Sequence, residues 1–199
     1  MSSDPRSAIL NAAGEVFARF GFKKASMEDI ARRAGVGKGS IYLHFESKDE
    51  LFEACLRLSQ AQAIAELETV VRRATTPEDQ VRAFIQCKLE QTSRMAHGQR
   101  LQVETIFEMG TQALRLMPEL QEKETALLAR ILTEGNAQGV FAVAAPHPVA
   151  MGLVETLAAF SVKLLTLGSS APFREALDAY FDVFIRGLVP PRGSPSHKS

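Results

Sequence analysis

Apolar residues recur along this chain with the period of an α-helix, and no stretch alternates with the period of two that a half-buried strand requires. Ile9, Ala13, Val16, Phe17 and Phe20 stand at i, i+4, i+7, i+8 and i+11, one face of a helix. Asp4 followed by Pro5 supplies an N-cap and a first-turn proline, and Gly21 a stop. Ser26 to Asp29 has capping-box spacing with Asp in the usual Glu or Gln place. It opens a short helix that turns Met27, Ile30, Ala31 and Ala34 inward and breaks at Gly35. Ile41 and Phe45 mark the inner face of a third short helix.

Longer units follow. Ser47 caps a helix carrying Leu51, Phe52, Cys55, Leu56 and Leu58, and Thr76 caps one carrying Val81, Phe84, Ile85 and Leu89. A segment runs from about His97 to Met109 and is broken at Gly110. Pro118 opens a helix through Leu120, Ala126, Leu127, Ile131 and Leu132, with Gly135 and Gly139 as its end. Pro146 and Pro148 precede a very apolar helix, and Ala171 and Pro172 introduce the last one, to about Val189. The reading is an all-α chain of about nine helices: a helix-turn-helix domain over 1–47, with its motif at 26–45, then a helical bundle over 48–189. The proline-rich polar tail 190–199 reads as disordered.

Gly35, Val36 and Gly37 form the short glycine-containing turn of a helix-turn-helix. Gly35 can take positive φ after the second helix, and Val36 can fill the angle between the two. With Ile41 and Phe45 turned down, Lys38, Ser40, Tyr42, Leu43 and His44 face outward or sideways. A helix offering its N-terminal residues to base edges is how this motif reads the major groove. Charge agrees: residues 1–45 hold seven basic and four acidic side chains, a net of +3, leaving −3 for the rest of a chain that balances 23 Lys and Arg with 23 Asp and Glu. That neutrality excludes a polycation coating nucleic acid. Gly35 to Ser40 also has a superficial likeness to a phosphate-cradling loop. Such a loop needs Lys directly before Ser or Thr and a preceding strand, whereas here Gly39 intervenes after a helix with Arg32 and Arg33.

The run from Ile30 to Leu51, IARRAGVGKGSIYLHFESKDEL, with Phe17, Gly21, Phe22 and Ser26 upstream, resembles the TetR (TetR/AcrR) family of transcriptional regulators over roughly the first 55 residues. The resemblance departs at Gly37, where the family usually has Ser, so a side-chain oxygen is missing. It implies that Ser26 and the first amides of the second helix touch a phosphate, and that Lys38 and Ser40 read bases. It also implies that Gly39 allows close backbone approach, that Leu43 leans on a thymine methyl, and that Lys48 pairs with a phosphate. Tyr42 and His44 either grip phosphates or pack the small domain. Lys23 and Lys24 read as a solvated turn.

The last two helices point to a homodimer. Arg174, Asp178, Asp182 and Arg186 form one polar stripe, yet Leu177, Tyr180, Phe181, Val183, Phe184, Ile185 and Leu188 spread apolar surface over most of the remainder. The resemblance implies a four-helix bundle built from two copies, and a two-fold dimer implies a roughly palindromic double-stranded operator. The middle helices are expected to enclose a small-molecule effector site, with Phe84, Glu104, Phe107, Met109, Met151 and Phe160 as candidates. The resemblance suggests release from DNA by population shift. Cys55 and Cys87 lie in apolar patterns, His97 and His147 are scattered, and neither a metal-ligand cluster nor a hydrolase motif is evident, so no cofactor, metal or enzymatic activity is expected. Residues 149–168 hold only Glu155 and Lys163 as charges, each costing about 2.5–3.5 kcal/mol at a bilayer centre, and read as a buried helix of a cytoplasmic protein. A ligand-independent DNA-binding regulator or activator is the alternative, and an enzyme with an incidental helix-turn-helix a remote one.

Overall fold

The computed structural model describes residues 4–98, 117–167 and 171–190. Among them the chain is helical without a strand, in eight helices: α1 (Pro5–Lys24), α2 (Met27–Ala34), α3 (Lys38–Tyr42), α4 (Lys48–Arg73), α5 (Pro77–Gly98), α6 (Met117–Ala137), α7 (Pro146–Leu167) and α8 (Ala171–Leu188). The expected segment from His97 to Met109 lies outside the described residues except for its first two, which close α5. Residues 191–199, most of the expected tail, also lie outside them.

Two compact units divide the chain: 1–65 with 93–120, and 66–92 with 121–199. The first contains the expected 1–47 domain together with the start of α4.

Local chemistry sets the helix ends in the first unit. Asp4 caps α1 by accepting from Arg6 N at 3.3 Å, and the Ser7 hydroxyl donates to the same carboxylate at 3.2 Å. Gly21, at φ 76 and ψ 168, interrupts α1 in a region open essentially only to glycine, and three further residues form a last short turn. The Ser26 hydroxyl accepts from Asp29 N at 3.1 Å and donates to the Asp29 carboxylate at 2.5 Å, starting α2. Gly35 is left-handed at φ 68, and the Val36 amide reaches back to the Ala31 carbonyl at 3.1 Å, the bond of a Schellman end. Ser47 caps α4, Glu50 N donating to its Oγ at 3.1 Å, and the Glu50 carboxylate accepts from Glu46 N, one residue before the cap, at 2.6 Å. Ile9, Ala13 and Phe17 of α1, Ile30 of α2, Ile41, Phe45, and Leu51 and Phe52 of α4 make the core of this unit. Phe17, Phe22 and Phe52 meet as a ring cluster with centroids 4.9 to 6.0 Å apart.

The second unit is a helical core of Leu67, Val71, Val81, Phe84, Ile85, Leu128, Ile131, Leu132, Leu153, Leu157, Phe181 and Ile185 with their neighbours. Gly135 does not end its helix, as its composition suggested; α6 continues to Ala137, and the positive φ falls at Gly139. The reason is packing. A Cβ at Gly135 would stand 2.1 Å from the Phe141 ring, so glycine lets the following loop close onto the helix. Asn136 clips that loop, its amide donating to Val143 O at 2.7 Å and its carbonyl accepting from Val143 N at 3.0 Å. α7 is long and apolar enough by composition to cross a membrane, yet it turns Ala150, Leu153, Val154, Leu157 and Leu164 into the interior.

Candidate DNA-recognition surface

α3 is only five residues long and cannot stand alone, since helix nucleation is unfavourable and so short a run adds little propagation. Ile41, fully buried, and Phe45, 1% exposed, hold it against α1, α2 and α4. The His44 and Phe45 amides both return to the Ile41 carbonyl at 2.9 Å, so the turn persists past Tyr42. The face this leaves outward carries Lys38, Gly39, Tyr42 and Leu43 exposed, with Ser40 and His44 half-buried at its sides. Leu43 is 83% exposed, an apolar side chain at the tip of the helix with nothing of its own chain covering most of it.

The candidates divide by geometry. Lys38, Ser40, Tyr42, Leu43 and His44 are brought together on α3 and the turn after it. Gly37 begins α3 without a side-chain cap, as the missing hydroxyl requires. Ser26 is engaged as the cap of α2 rather than projecting freely. Lys48 faces inward: its Nζ donates to Phe22 O at 2.9 Å and Ala25 O at 3.2 Å and lies 4.5 Å from the Phe22 ring centroid.

Glu28 escaped sequence reasoning. Its carboxylate on α2 stands 3.6 Å from Lys38 Nζ, placing an acid beside the cation at the head of α3. Ten residues separate the two, so only the turn geometry brings them together. Arg33 of α2 pairs with Glu15 of α1 through a 2.6 Å bond from its Nε, and Arg6 stacks 5.1 Å over the Phe45 ring. Both cations thus have a partner within the first unit although both remain exposed. Asp29 is acidified below the usual carboxylate range, first by the Ser26 hydroxyl and then by Arg32.

Of the effector-site candidates, Glu104, Phe107 and Met109 lie outside the described residues. Phe84 is fully buried in the core of the second unit, and Phe160 packs against that core with its ring edge-on to Phe173, Tyr180 and Phe181. Met151 is not brought to them; it is 50% exposed on the outer face of α7. A polar seam that sequence spacing did not reveal crosses the same unit. Lys88 Nζ donates to Glu124 at 2.5 Å with their side chains 17% and 4% exposed, and the Thr92 and Ser161 hydroxyls meet at 2.8 Å. Among the described residues no cluster of His, Cys, Asp or Glu could hold a metal.

A short α3 anchored by buried residues, set after α2 by a left-handed glycine turn and presenting its outer face to solvent, has the arrangement of a helix-turn-helix. Residues 9–55 match the family described as bacterial regulatory proteins, tetR family. Over that stretch the chain is similar to the TetR family of transcriptional regulators.

It is similar to the HTH-type transcriptional activator FasR of Mycolicibacterium smegmatis, 29% identical over 136 residues that cover 68% of this chain and 57% of FasR. It is likewise similar to the fatty acid metabolism regulator protein of Bacillus subtilis, 28% identical over 134 residues covering 66% and 68% of the two chains. Among solved structures, FadR from Bacillus subtilis in complex with stearoyl-CoA shares the fold with a TM-score of 0.65 at 19% identity, covering 92% of this chain and 98% of that one. The chain thus spans little more than half the length of FasR.

Proposed function

We propose that this protein is a homodimeric, cytoplasmic transcriptional regulator that binds a palindromic DNA operator and is released from it by a small apolar or amphipathic ligand. The observation that carries the DNA-binding part is the exposed face of α3 beside a pinned Ile41 and Phe45. In this reading Lys38 and Ser40 meet base edges, Leu43 meets a thymine methyl, and Tyr42 and His44 hold the backbone. Ser26 and the amides opening α2 meet a phosphate, as helix N-termini do.

Dimerisation rests on surface left uncovered. Only 28% of the apolar stretch Pro146–Leu165 is buried within the chain. On α8, Ala176, Ala179, Tyr180, Val183 and Gly187 are exposed at helical spacing, with Val183 71% exposed. They form a stripe distinct both from the buried Leu177, Phe181, Ile185 and Leu188 and from the polar Arg174, Asp178, Asp182 and Arg186. A second copy laying the same stripe against this one would bury both faces. Such a dimer reads half-sites about 34–36 Å apart or a multiple of that.

The effector reading draws on the apolar interior around Phe84 and Phe160 and on two relatives: a regulator named for fatty acid metabolism, and a fold neighbour holding stearoyl-CoA. An acyl-chain ligand is the class these favour. A ligand can release DNA only by its differential affinity for the DNA-free state. Regulation by activation is the second reading, favoured by the name of FasR.

The test is selection of duplexes from random DNA by the purified protein, followed by mobility shift with and without fatty acids and acyl-CoA esters. Sedimentation of the wild type and of Val183→Asp accompanies it. Two-fold-symmetric selected sites and a dimer that Val183→Asp splits are the expected results. Asymmetric sites bound by a monomer would refute the dimeric reading, and operator binding indifferent to every acyl ligand would refute the effector class.

A further inference from the structure

We infer that Glu28 and Lys38 read one base pair together and specify G·C: Lys38 donates to the guanine edge while the Glu28 carboxylate accepts from the cytosine amino group. The inference rests on the DNA-binding reading and adds to it a specificity-determining acid on α2.

An acid on this face needs a reason. Glu28 is 71% exposed and Lys38 57%, and the carboxylate stands 3.6 Å from the ammonium across the turn that joins α2 to α3. The N-terminus of α2 favours an acid in its first turn, and Asp29 already supplies one, closing the Ser26 cap and pairing with Arg32. Packing does not call for Glu28 either, since Met27, Ile30 and Ala31 are the buried residues of α2. An ion pair with Lys38 at this distance and exposure contributes little to stability. In the DNA-binding reading the same carboxylate enters a surface lined by phosphates, where like charge costs affinity unless a donor meets it.

The major groove offers such donors only at cytosine N4 and adenine N6. Guanine presents two acceptors, N7 and O6, which suit an ammonium. Within a G·C pair O6 and N4 are hydrogen-bonded to each other, so an acceptor and a donor lie about 3 Å apart. A cation and an anion 3.6 Å apart form the complementary pattern at a matching spacing. Turning the pair over to C·G sets the carboxylate against N7 and O6, and an A·T pair with adenine under Lys38 sets it against thymine O4. T·A satisfies both charges but gives the ammonium a single acceptor beside a methyl group. G·C therefore fits best, and exclusion by the acid is as much a part of the reading as attraction.

The experiment selects duplexes from random DNA with wild type, Glu28→Gln and Lys38→Met. Anisotropy at one salt concentration then measures affinity for the preferred site, for single base-pair reversals in it and for an unrelated duplex. A duplex carrying N4-methylcytosine, with a methyl on the amino group that Glu28 meets, is titrated with wild type and Glu28→Ala. Wild type is expected to select G·C at one position of each half-site and to lose on the order of tenfold in affinity when that pair is reversed. Glu28→Gln, whose amide donates as well as accepts, is expected to bind both orientations within about twofold of each other. Its melting temperature stays that of the wild type, as for an exposed substitution. Lys38→Met relaxes the same position. Glu28→Gln also binds the unrelated duplex more tightly, because one negative charge fewer faces the phosphates, so the reversal ratio is the measure. The N4-methyl group weakens wild type and leaves Glu28→Ala indifferent.

A reversal cost unchanged in Glu28→Gln would overturn the inference, as would a responding position occupied by A·T. Equal strengthening on every duplex, with preferences intact, would make Glu28 a general repulsive charge and not a reader. The N4-methyl arm uses wild-type protein, so a variant that does not fold cannot protect the inference. If the wild type selects no duplex, the DNA-binding reading falls with it; if it selects one and no G·C position answers to Glu28, the paired reading alone falls.

Discussion

Gly39 separates what the fold wants from what DNA binding wants. It lies inside α3, where glycine costs about 0.5–1 kcal/mol relative to alanine through the backbone freedom it loses on folding. A Cβ built there meets nothing within 4 Å, and the residue has no positive φ to excuse it. The open space around it therefore gives no packing reason for glycine, whereas the proposed approach of the backbone to a duplex would give one. Gly39→Ala is expected to stabilise the protein by about 0.5–1 kcal/mol, or about 1–4 °C in melting temperature for a chain of this size. It is expected at the same time to weaken operator binding by roughly tenfold, since a new methyl would hold the helix off the groove by part of a van der Waals radius; tenfold is about 1.4 kcal/mol. Thermal melts followed by circular dichroism read the first effect, and anisotropy titrations at fixed salt read the second. Stabilisation with undiminished affinity would refute close approach at Gly39. Destabilisation would refute the open space around it.

Other perturbations test the supports of the site. Gly37→Ser, with open space at the position, adds the missing hydroxyl cap of α3 and should raise stability by a few tenths of a kcal/mol to about 1 kcal/mol in urea unfolding. Gly135→Ala forces a methyl against the Phe141 ring and should cost about 1–3 kcal/mol in the same assay, with no such loss for Gly152→Ala, where a Cβ meets nothing. Glu124→Gln leaves the largely buried Lys88 ammonium without its counter-charge and should cost about 3 kcal/mol, while the pair Lys88→Met with Glu124→Leu should return to within about 1 kcal/mol of wild type. Burial pushes the Cys55 thiol up to about 12, so it stays protonated and unreactive until far above neutrality. Iodoacetamide at pH 8 should label Cys55 about a thousandfold more slowly in the native protein than after unfolding, and equal rates by mass spectrometry would contradict its burial.

How far the chain could be read without its tertiary structure follows from the range of each interaction. Asp4, Ser26, Ser47 and Thr76 announce helix starts because a cap and the amide it accepts from lie two or three residues apart. Gly35 announces the turn because a left-handed residue after a helix is a local backbone need. Ile41 and Phe45 mark the inner side of α3 and its following turn because a four-residue spacing fixes a shared face, whatever they pack against. The surface of α3 was legible for the same reason.

What tertiary structure alone decided is every pairing made across helices. Lys48 lies twenty-three residues beyond Ala25 and twenty-six beyond Phe22, and its position at a helix start suits an outward ammonium as well as an inward one. Glu28 meets Lys38 only once Gly35 has turned the chain. Gly135 has the composition of a helix stop and works as a notch for a ring six residues on. Lys88 with Glu124 and Thr92 with Ser161 are thirty-six and sixty-nine residues apart, and no periodicity encodes which helix faces which. Hydrogen bonds within a turn are a property of the local chain. The partner of a long side chain is set by how helices pack, and packing is a property of the whole.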